Sequence, residues 1–143
     1  MPTLVTDDLV VDYLADGDGP PVLLLHSSVS GNRQWKRLVE DLRPSYRCLA
    51  PNLRGYGLTS PWPGGRRQTL DDAVEAALRL CDTVPRPIRL VGHPWGASVA
   101  LAAASKLGAT ASHLALYEPA MIGLLTGHGR TEASATRRPR TPR

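Results

Sequence analysis

The sequence predicts an α/β fold in which a mainly parallel sheet is covered by helices on both faces. Short apolar runs of strand length alternate along the chain with longer segments that carry an apolar stripe at helical spacing. The run at residues 21–26 is apolar almost throughout, which is typical of a strand buried on both faces. The order strand, strand, helix, strand, helix, strand, helix, strand indicates a three-layer sandwich with right-handed crossovers.

The first half of the chain is predicted to hold three strands and one helix. Residues 9–14 form the first strand, and a Gly/Pro-rich turn at residues 16–20 leads into the apolar strand at 21–26. The helix that follows has apolar residues at helical spacing, namely Trp35, Leu38, Val39 and Leu42. Pro44 ends this helix, and residues 46–50 return as a short strand.

A Gly/Pro-rich loop at residues 52–67 precedes the second helix. Thr69 caps that helix, with Asp72 three residues later in a capping-box arrangement. Its predicted apolar stripe consists of Leu70, Val74, Ala77, Leu78 and Cys81. Pro85 and Pro87 end the helix.

The last predicted elements are a strand at residues 88–92, an Ala-rich helix at 96–107 and a strand at 112–117. Gly108 is a typical residue for the end of the helix. Ligands of such sheets bind at the carboxyl ends of the strands, so four residues are expected to face one crevice. They are His26, Asn52, Gly92 and Glu118.

Charge divides the 143 residues into two parts. Residues 1–125 carry 12 basic and 12 acidic side chains, so the net charge of +4 lies wholly in residues 126–143. Those eighteen residues contain no Val, Ile, Leu, Met or aromatic side chain, which predicts a disordered basic tail. The sequence therefore predicts a partial domain over residues 1–125 and a tail over 126–143.

Composition excludes several classes of protein. Residues 1–11 lack a basic segment followed by an apolar one, so no secretory signal is expected. No apolar run approaches the length of a membrane span, and no aromatic residues are interleaved with the tail arginines to suggest a specific nucleic-acid partner. Cys48 and Cys81 stand alone in apolar settings, which indicates buried free thiols and a cytoplasmic location.

Three loops at strand ends carry a family resemblance. The segment PPVLLLH is followed by Ser27-Ser28, APNLRGYG occupies the middle loop, and VGHPWGASVAL joins a strand to a helix. Together they resemble the α/β-hydrolase family: its strand before the oxyanion loop, its Asp-Leu-Arg-Gly-x-Gly segment and its Gly-x-Ser-x-Gly nucleophile elbow. The resemblance covers residues 8–125, the first half of a family domain, and implies ester, amide or epoxide hydrolysis without a cofactor.

The most informative departure from the family pattern is Pro94, which stands at the nucleophile position. Proline has no hydroxyl, thiol or carboxylate with which to attack a carbonyl carbon. The elbow also requires a strained backbone with φ above zero, whereas proline is held near φ of about −65°. Pro94 is therefore expected to deform the turn that aims the N–H of Trp95.

The oxyanion positions implied by the resemblance are Ser28 and Trp95, with His26 and His93 as supporting residues that hold the loops by hydrogen bonding. Ser27 replaces the family glycine, so its Cβ is expected to be strained if the loop needs a glycine conformation. The acid and histidine of the triad follow the nucleophile in this family. Glu118 could supply a carboxylate, but no base is expected beside it.

The sequence thus predicts a truncated family member that is catalytically inactive as it stands. The alternatives are an active hydrolase completed by a second chain and a non-enzymatic module that binds a small molecule. The four histidines and two cysteines are scattered, so neither a metal site nor a cofactor is expected. The last predicted strand would form an open apolar edge, which favours self-association.

Overall fold

The computed structural model describes residues 1–119, which form one six-stranded sheet with helices on both faces. The strands are β1 (Thr3–Val5), β2 (Val10–Asp16), β3 (Pro21–Leu25), β4 (Arg47–Pro51), β5 (Ile88–Gly92) and β6 (Ala111–Leu116). The helices are α1 (Lys36–Leu42), α2 (Leu70–Cys81) and α3 (Trp95–Leu107). The α/β class predicted from the sequence is confirmed.

The strand order is β1-β2-β4-β3-β5-β6. β1 and β2 are antiparallel to their neighbours, and the pairs among β3, β4, β5 and β6 are parallel. Because β3, β4, β5 and β6 run the same way, their carboxyl ends lie at one edge of the sheet. The loops that follow these four strands are therefore neighbours.

The core has one layer on each face of the sheet. α2 and α3 pack on one face over alternate leucines of the strands, and Leu23, Leu49 and Leu90 are almost fully buried there. Trp35 and Val39 pack on the other face, against Val22, Leu24, Cys48 and Ala50. The run at residues 21–25 is buried at every position, as a strand covered on both faces requires.

The predicted strands lie within two residues of the observed ones, but β1 was missed. The capping box of α2 is confirmed: the Thr69 hydroxyl accepts the Asp72 N–H, and the Asp72 carboxylate accepts the Thr69 N–H. Both cysteines are buried and free, as predicted, and burial raises the pKa of the Cys81 thiol to about 11.

The predicted apolar stripe of α2 was wrong in part. Leu70 is 39% exposed because it lies in the first turn, whereas Ala73, Ala76 and Leu80 are fully buried. Small alanine side chains let the helix lie close to the sheet, where Ala76 packs with Leu9 and Val11. The buried face of α2 is centred on the alanines, not on Leu70 and Leu78.

The predicted tail at residues 126–143 lies outside the described residues. Within residues 1–119, no helix has both the length and the apolar character needed to cross a bilayer.

Candidate active-site crevice

The loop between β5 and α3, predicted as a nucleophile elbow, is closely packed at both of its glycines. A Cβ atom on Gly92 would lie 2.2 Å from the carbonyl oxygen of Gly96, and one on Gly96 would lie 2.0 Å from the carbonyl oxygen of Leu25. The Gly96 N–H donates to the carbonyl of His26 at 3.1 Å. Both glycines are therefore required for α3 to start this close to the end of β3.

Pro94, which the resemblance places at the nucleophile position, has the backbone of a helical residue. Its φ is −71° and its ψ is −34°, and it forms the N-terminal cap of α3. Residue 94 is thus outside the φ > 0 region that the family motif implies. α3 begins one residue later at Trp95, whose N–H has no acceptor within the helix because it belongs to the first turn.

The loop after β3 carries Ser28, the other predicted oxyanion position. The carbonyl of Ser28 accepts the hydroxyl of Tyr56 at 2.7 Å, which ties this loop to the loop after β4. Among residues 1–119, Glu118 is the only residue other than glycine with a positive φ, so Ser27 does not adopt the glycine conformation. The strain considered at Ser27 is therefore absent, and the loop accommodates its side chain.

His26 is a buried bridge between these two loops. Its Nε2 atom accepts the Leu53 N–H at 3.0 Å, which places the ring proton on Nδ1, 2.7 Å from the carbonyl oxygen of Ser27. Burial lowers the pKa of His26, because desolvation outweighs the Ser27 hydrogen bond and the Asp12 charge. The ring also contacts Tyr56 edge to face, with the centroids 4.6 Å apart. His26 therefore stays neutral and holds the loops together.

His93 and Glu118 meet at the carboxyl ends of β5 and β6. The His93 Nε2 atom lies 3.7 Å from the Glu118 Oε2 atom, and the His93 Nδ1 atom lies 3.3 Å from the Gln34 Nε2 atom. The expectation that Glu118 has no histidine beside it was therefore wrong. The expected crevice included Gly92 and Glu118, but the contact depends on the direction of the His93 side chain after β5 has paired with β6, which the sequence does not show.

The Asn52 side chain belongs to a buried polar network around Asp12. The Asp12 carboxylate accepts the Asn52 side-chain amide at 2.8 Å, and the Leu58 N–H and the Thr59 hydroxyl at 2.9 Å each. Asp12 is 1% exposed and Asn52 is 5% exposed. Of the four residues expected at the crevice, Asn52 thus has a buried side chain that holds Asp12.

Gly57 covers this network. It has a φ of +54°, and a Cβ atom there would lie 2.2 Å from the amide nitrogen of Asn52. The loop after β4 needs a residue without a side chain at this point, because the Asn52 amide lies directly beneath it.

Comparison with known proteins fits this geometry. A model of the alpha/beta hydrolase family matches residues 22–143. The chain belongs to that family. It is 30% identical over 97 residues to a cis-3-alkyl-4-alkyloxetan-2-one decarboxylase of Shewanella oneidensis, a match that covers 66% of this chain and 30% of the decarboxylase. It is 33% identical over 100 residues to epoxide hydrolase 2 of Siraitia grosvenorii, covering 68% of this chain and 32% of that enzyme.

The solved structure of epoxide hydrolase VrEH1 from Vigna radiata has a TM-score of 0.73 and 27% identity to this chain. That alignment covers 79% of this chain and 38% of the epoxide hydrolase. The chain thus spans about a third of the length of the curated relatives that it matches.

A half-buried ion pair, which was not predicted from the sequence, connects the loop after β4 to α2. The Arg54 Nη2 atom lies 2.6 Å from the Glu75 Oε2 atom on α2, and its Nη1 atom donates to the carbonyl of Pro61 at 2.9 Å. The Arg54 side chain is only 6% exposed. The arginine in the Leu-Arg-Gly segment therefore ties the loop to α2.

An open cavity of about 580 Å³ lies between the loops after β3 and β4. Its lining includes Ser28, Arg33, Tyr56 and the Asp12–Asn52 pair. Pro94 and Trp95 are not part of this lining. Within residues 1–119, no three His, Cys, Asp or Glu side chains come together as a metal-binding group.

Proposed function

We propose that this member of the α/β-hydrolase family has no hydrolytic activity of its own as it stands. Pro94 carries the proposal, because it occupies the position of the nucleophile and offers no group that can attack a carbonyl, an epoxide or a halide-bearing carbon. Its helical φ of −71° supports the same conclusion for the backbone, since the turn does not present residue 94 as a strained elbow would.

The histidine nearest the elbow does not compensate for this loss. A general base acts by taking a proton from a nucleophile within hydrogen-bond reach, and Pro94 offers no such proton. In His93, Nδ1 faces the side-chain amide of Gln34 and Nε2 faces Glu118. His26 has both ring nitrogens bonded within the protein.

Catalysis is tested directly with the purified full chain and a short p-nitrophenyl ester. We expect release of p-nitrophenol at the rate of buffer alone, and no covalent labelling by a fluorophosphonate probe. The Ser28→Ala variant is the matched control, because Ser28 is an exposed hydroxyl at an oxyanion position. Turnover well above the buffer rate that is lost in Ser28→Ala would overturn the proposal.

A second candidate function is a non-enzymatic module that binds a small molecule. The cavity of about 580 Å³ favours it, because its volume is within the range of small-molecule sites. A thermal-shift series with small hydrophobic acids and esters tests this function, since a ligand that binds only the folded chain raises its melting temperature. If no compound raises the melting temperature, the small-molecule function is refuted and the proposal of an inactive hydrolase scaffold remains.

A further inference from the structure

β5 is fully covered on one face only, although it lies between two other strands of the sheet. Ile88, Leu90 and Gly92 are buried. Arg89 and Val91, which alternate with them along the strand, are half-buried. The neighbouring strand β3 is buried at every position. Because parallel strands are ordinarily covered on both faces, the face of β5 that carries Arg89 and Val91 lacks part of its cover within residues 1–119.

This exposed face continues onto β6 and forms a groove of about 490 Å³ beside α1. The register pairs Arg89 with His113 and Val91 with Ala115. Directly paired residues share one face of a sheet, so these four residues define a single surface, the β5–β6 strip. Two strands about 4.8 Å apart make a strip about 10 Å wide, which is the diameter of one α-helix.

The charged side chains of the β5–β6 strip are basic. The Arg89 guanidinium lies over the Tyr46 ring, 5.4 Å from the ring centroid. Within residues 1–119, Arg89 takes part in no ion pair, and neither Asp nor Glu lines the groove. A matching surface therefore needs apolar side chains over Val91 and Ala115 and a carboxylate beside Arg89.

We propose that the β5–β6 strip binds an amphipathic α-helix of another polypeptide, with carboxylates bordering its apolar stripe. This helix continues the layer that α1 begins on the same face of the sheet. Its apolar residues at i, i+3, i+4 and i+7 pack over Val91 and Ala115, and a Glu or Asp pairs with Arg89. The inference goes beyond the proposed function, since the groove shares no lining residue with the cavity between the loops.

Two occupants drawn from this chain match the charge of the strip poorly. A face-to-face contact between two copies would place Arg89 and His113 against the same basic strip, and facing like charges oppose association. Residues 126–143 carry five arginines and one glutamate, so they also bring positive charge to a basic groove. An anionic lipid surface has the matching charge and is therefore one arm of the test.

The test is fluorescence anisotropy of a labelled peptide of about 18 residues, five helical turns, mixed with the purified full chain. The peptide carries Leu at i, i+3, i+4 and i+7, with Glu on both sides of this stripe. One matched peptide has Lys in place of Glu, and another keeps the composition but scrambles the stripe. We expect the Glu peptide to bind at least about tenfold more tightly than either, because only it supplies both the stripe and the ion pair.

A charge reversal in the protein makes the test specific to the strip. Arg89→Glu should reverse the preference, so that the Lys peptide binds about tenfold more tightly than the Glu peptide. Arg37→Glu makes the same change of charge at an exposed position of α1 outside the groove, and it should leave the preference unchanged.

Three outcomes would overturn the proposal. They are equal binding of the two charged peptides to the wild-type chain, binding of the Glu peptide that Arg89→Glu does not weaken, and binding of phosphatidylserine vesicles but of no peptide. If Arg89→Glu does not fold, the comparison of the three peptides on the wild-type chain decides the question.

Discussion

The hydrogen bond between Asn52 and Asp12 makes Asn52→Asp the sharpest test of the buried network. The Asn52 Nδ2 atom lies 2.8 Å from the Asp12 Oδ2 atom, and both residues are almost fully buried. The substitution replaces the donor with a second carboxylate oxygen. Two unit charges at the 2.8 Å separation of these atoms repel by about 6 kcal/mol at an effective dielectric constant of about 20.

Uptake of a proton limits the cost of this substitution. Keeping one carboxyl group protonated at pH 7 costs about 4 kcal/mol, because its pKa in the unfolded chain is about 4 and each pH unit is worth about 1.4 kcal/mol. This is less than the repulsion, so the folded variant should bind the proton and use it to donate to Asp12. Because the folded variant binds more protons than the unfolded one, its penalty grows as the pH rises above about 4.

The assay is urea unfolding followed by tryptophan fluorescence, with the variant and the wild-type chain compared at pH 7 and at pH 4. We expect the free energy of unfolding to fall by about 4 kcal/mol at pH 7 and by less than about 1 kcal/mol at pH 4. The exchange variant, Asp12→Asn with Asn52→Asp, keeps one amide and one carboxylate and should recover most of the loss. A penalty that is equal at the two pH values, or an exchange variant no more stable than the single one, would refute the reasoning.

Three further predictions follow from the same geometry. Pro94→Ser should hydrolyse a p-nitrophenyl ester no faster than Pro94→Ala, because both ring nitrogens of His26 are bonded within the protein and those of His93 face Gln34 and Glu118. A faster serine variant would reveal a base. Gly57→Ala should lower the free energy of unfolding by about 2 kcal/mol, because residue 57 has a φ of +54° and its new Cβ atom would lie 2.2 Å from the Asn52 amide nitrogen. The control Gly64→Ala, whose Cβ atom would face open space, should change it by less than about 0.5 kcal/mol. Equal urea midpoints for the two variants would contradict this. Light scattering should show that copies of the chain associate through the edge strand β6. Leu114→Lys should disrupt that association, whereas Leu101→Lys, at an equally exposed leucine, should not. A wild-type chain that is monomeric at high concentration would contradict this prediction.

Much of the fold could be predicted from local patterns because those patterns reflect burial. The apolar run at residues 21–26 and the capping box at Thr69 each determine a local structure without help from distant residues. β1 is three residues long and only half-buried at its centre, so it leaves no periodic signal. The face of α2 was misplaced because alanine is a weak indicator of burial, although Ala73 and Ala76 are fully buried.

The candidate site was predictable in part. The predicted loss of the nucleophile could be read from the sequence because it depends on a single residue type, proline at position 94. The pairs Asp12–Asn52 and His93–Glu118 are tertiary contacts that separate elements bring together. Asp12 could have been noticed as a charged residue within the apolar strand pattern, since a buried carboxylate requires donors.

The close contact between Gly92 and Gly96 has a consequence for recognising activity from motifs. Both glycines are required by the approach of α3 to β3 and β5, whatever stands between them. The packing of the scaffold alone is therefore enough to require the two glycines of this loop, with or without catalysis at residue 94. Within Gly-x-x-x-Gly at this junction, the glycines are evidence of packing, and only the central residue is evidence of catalysis.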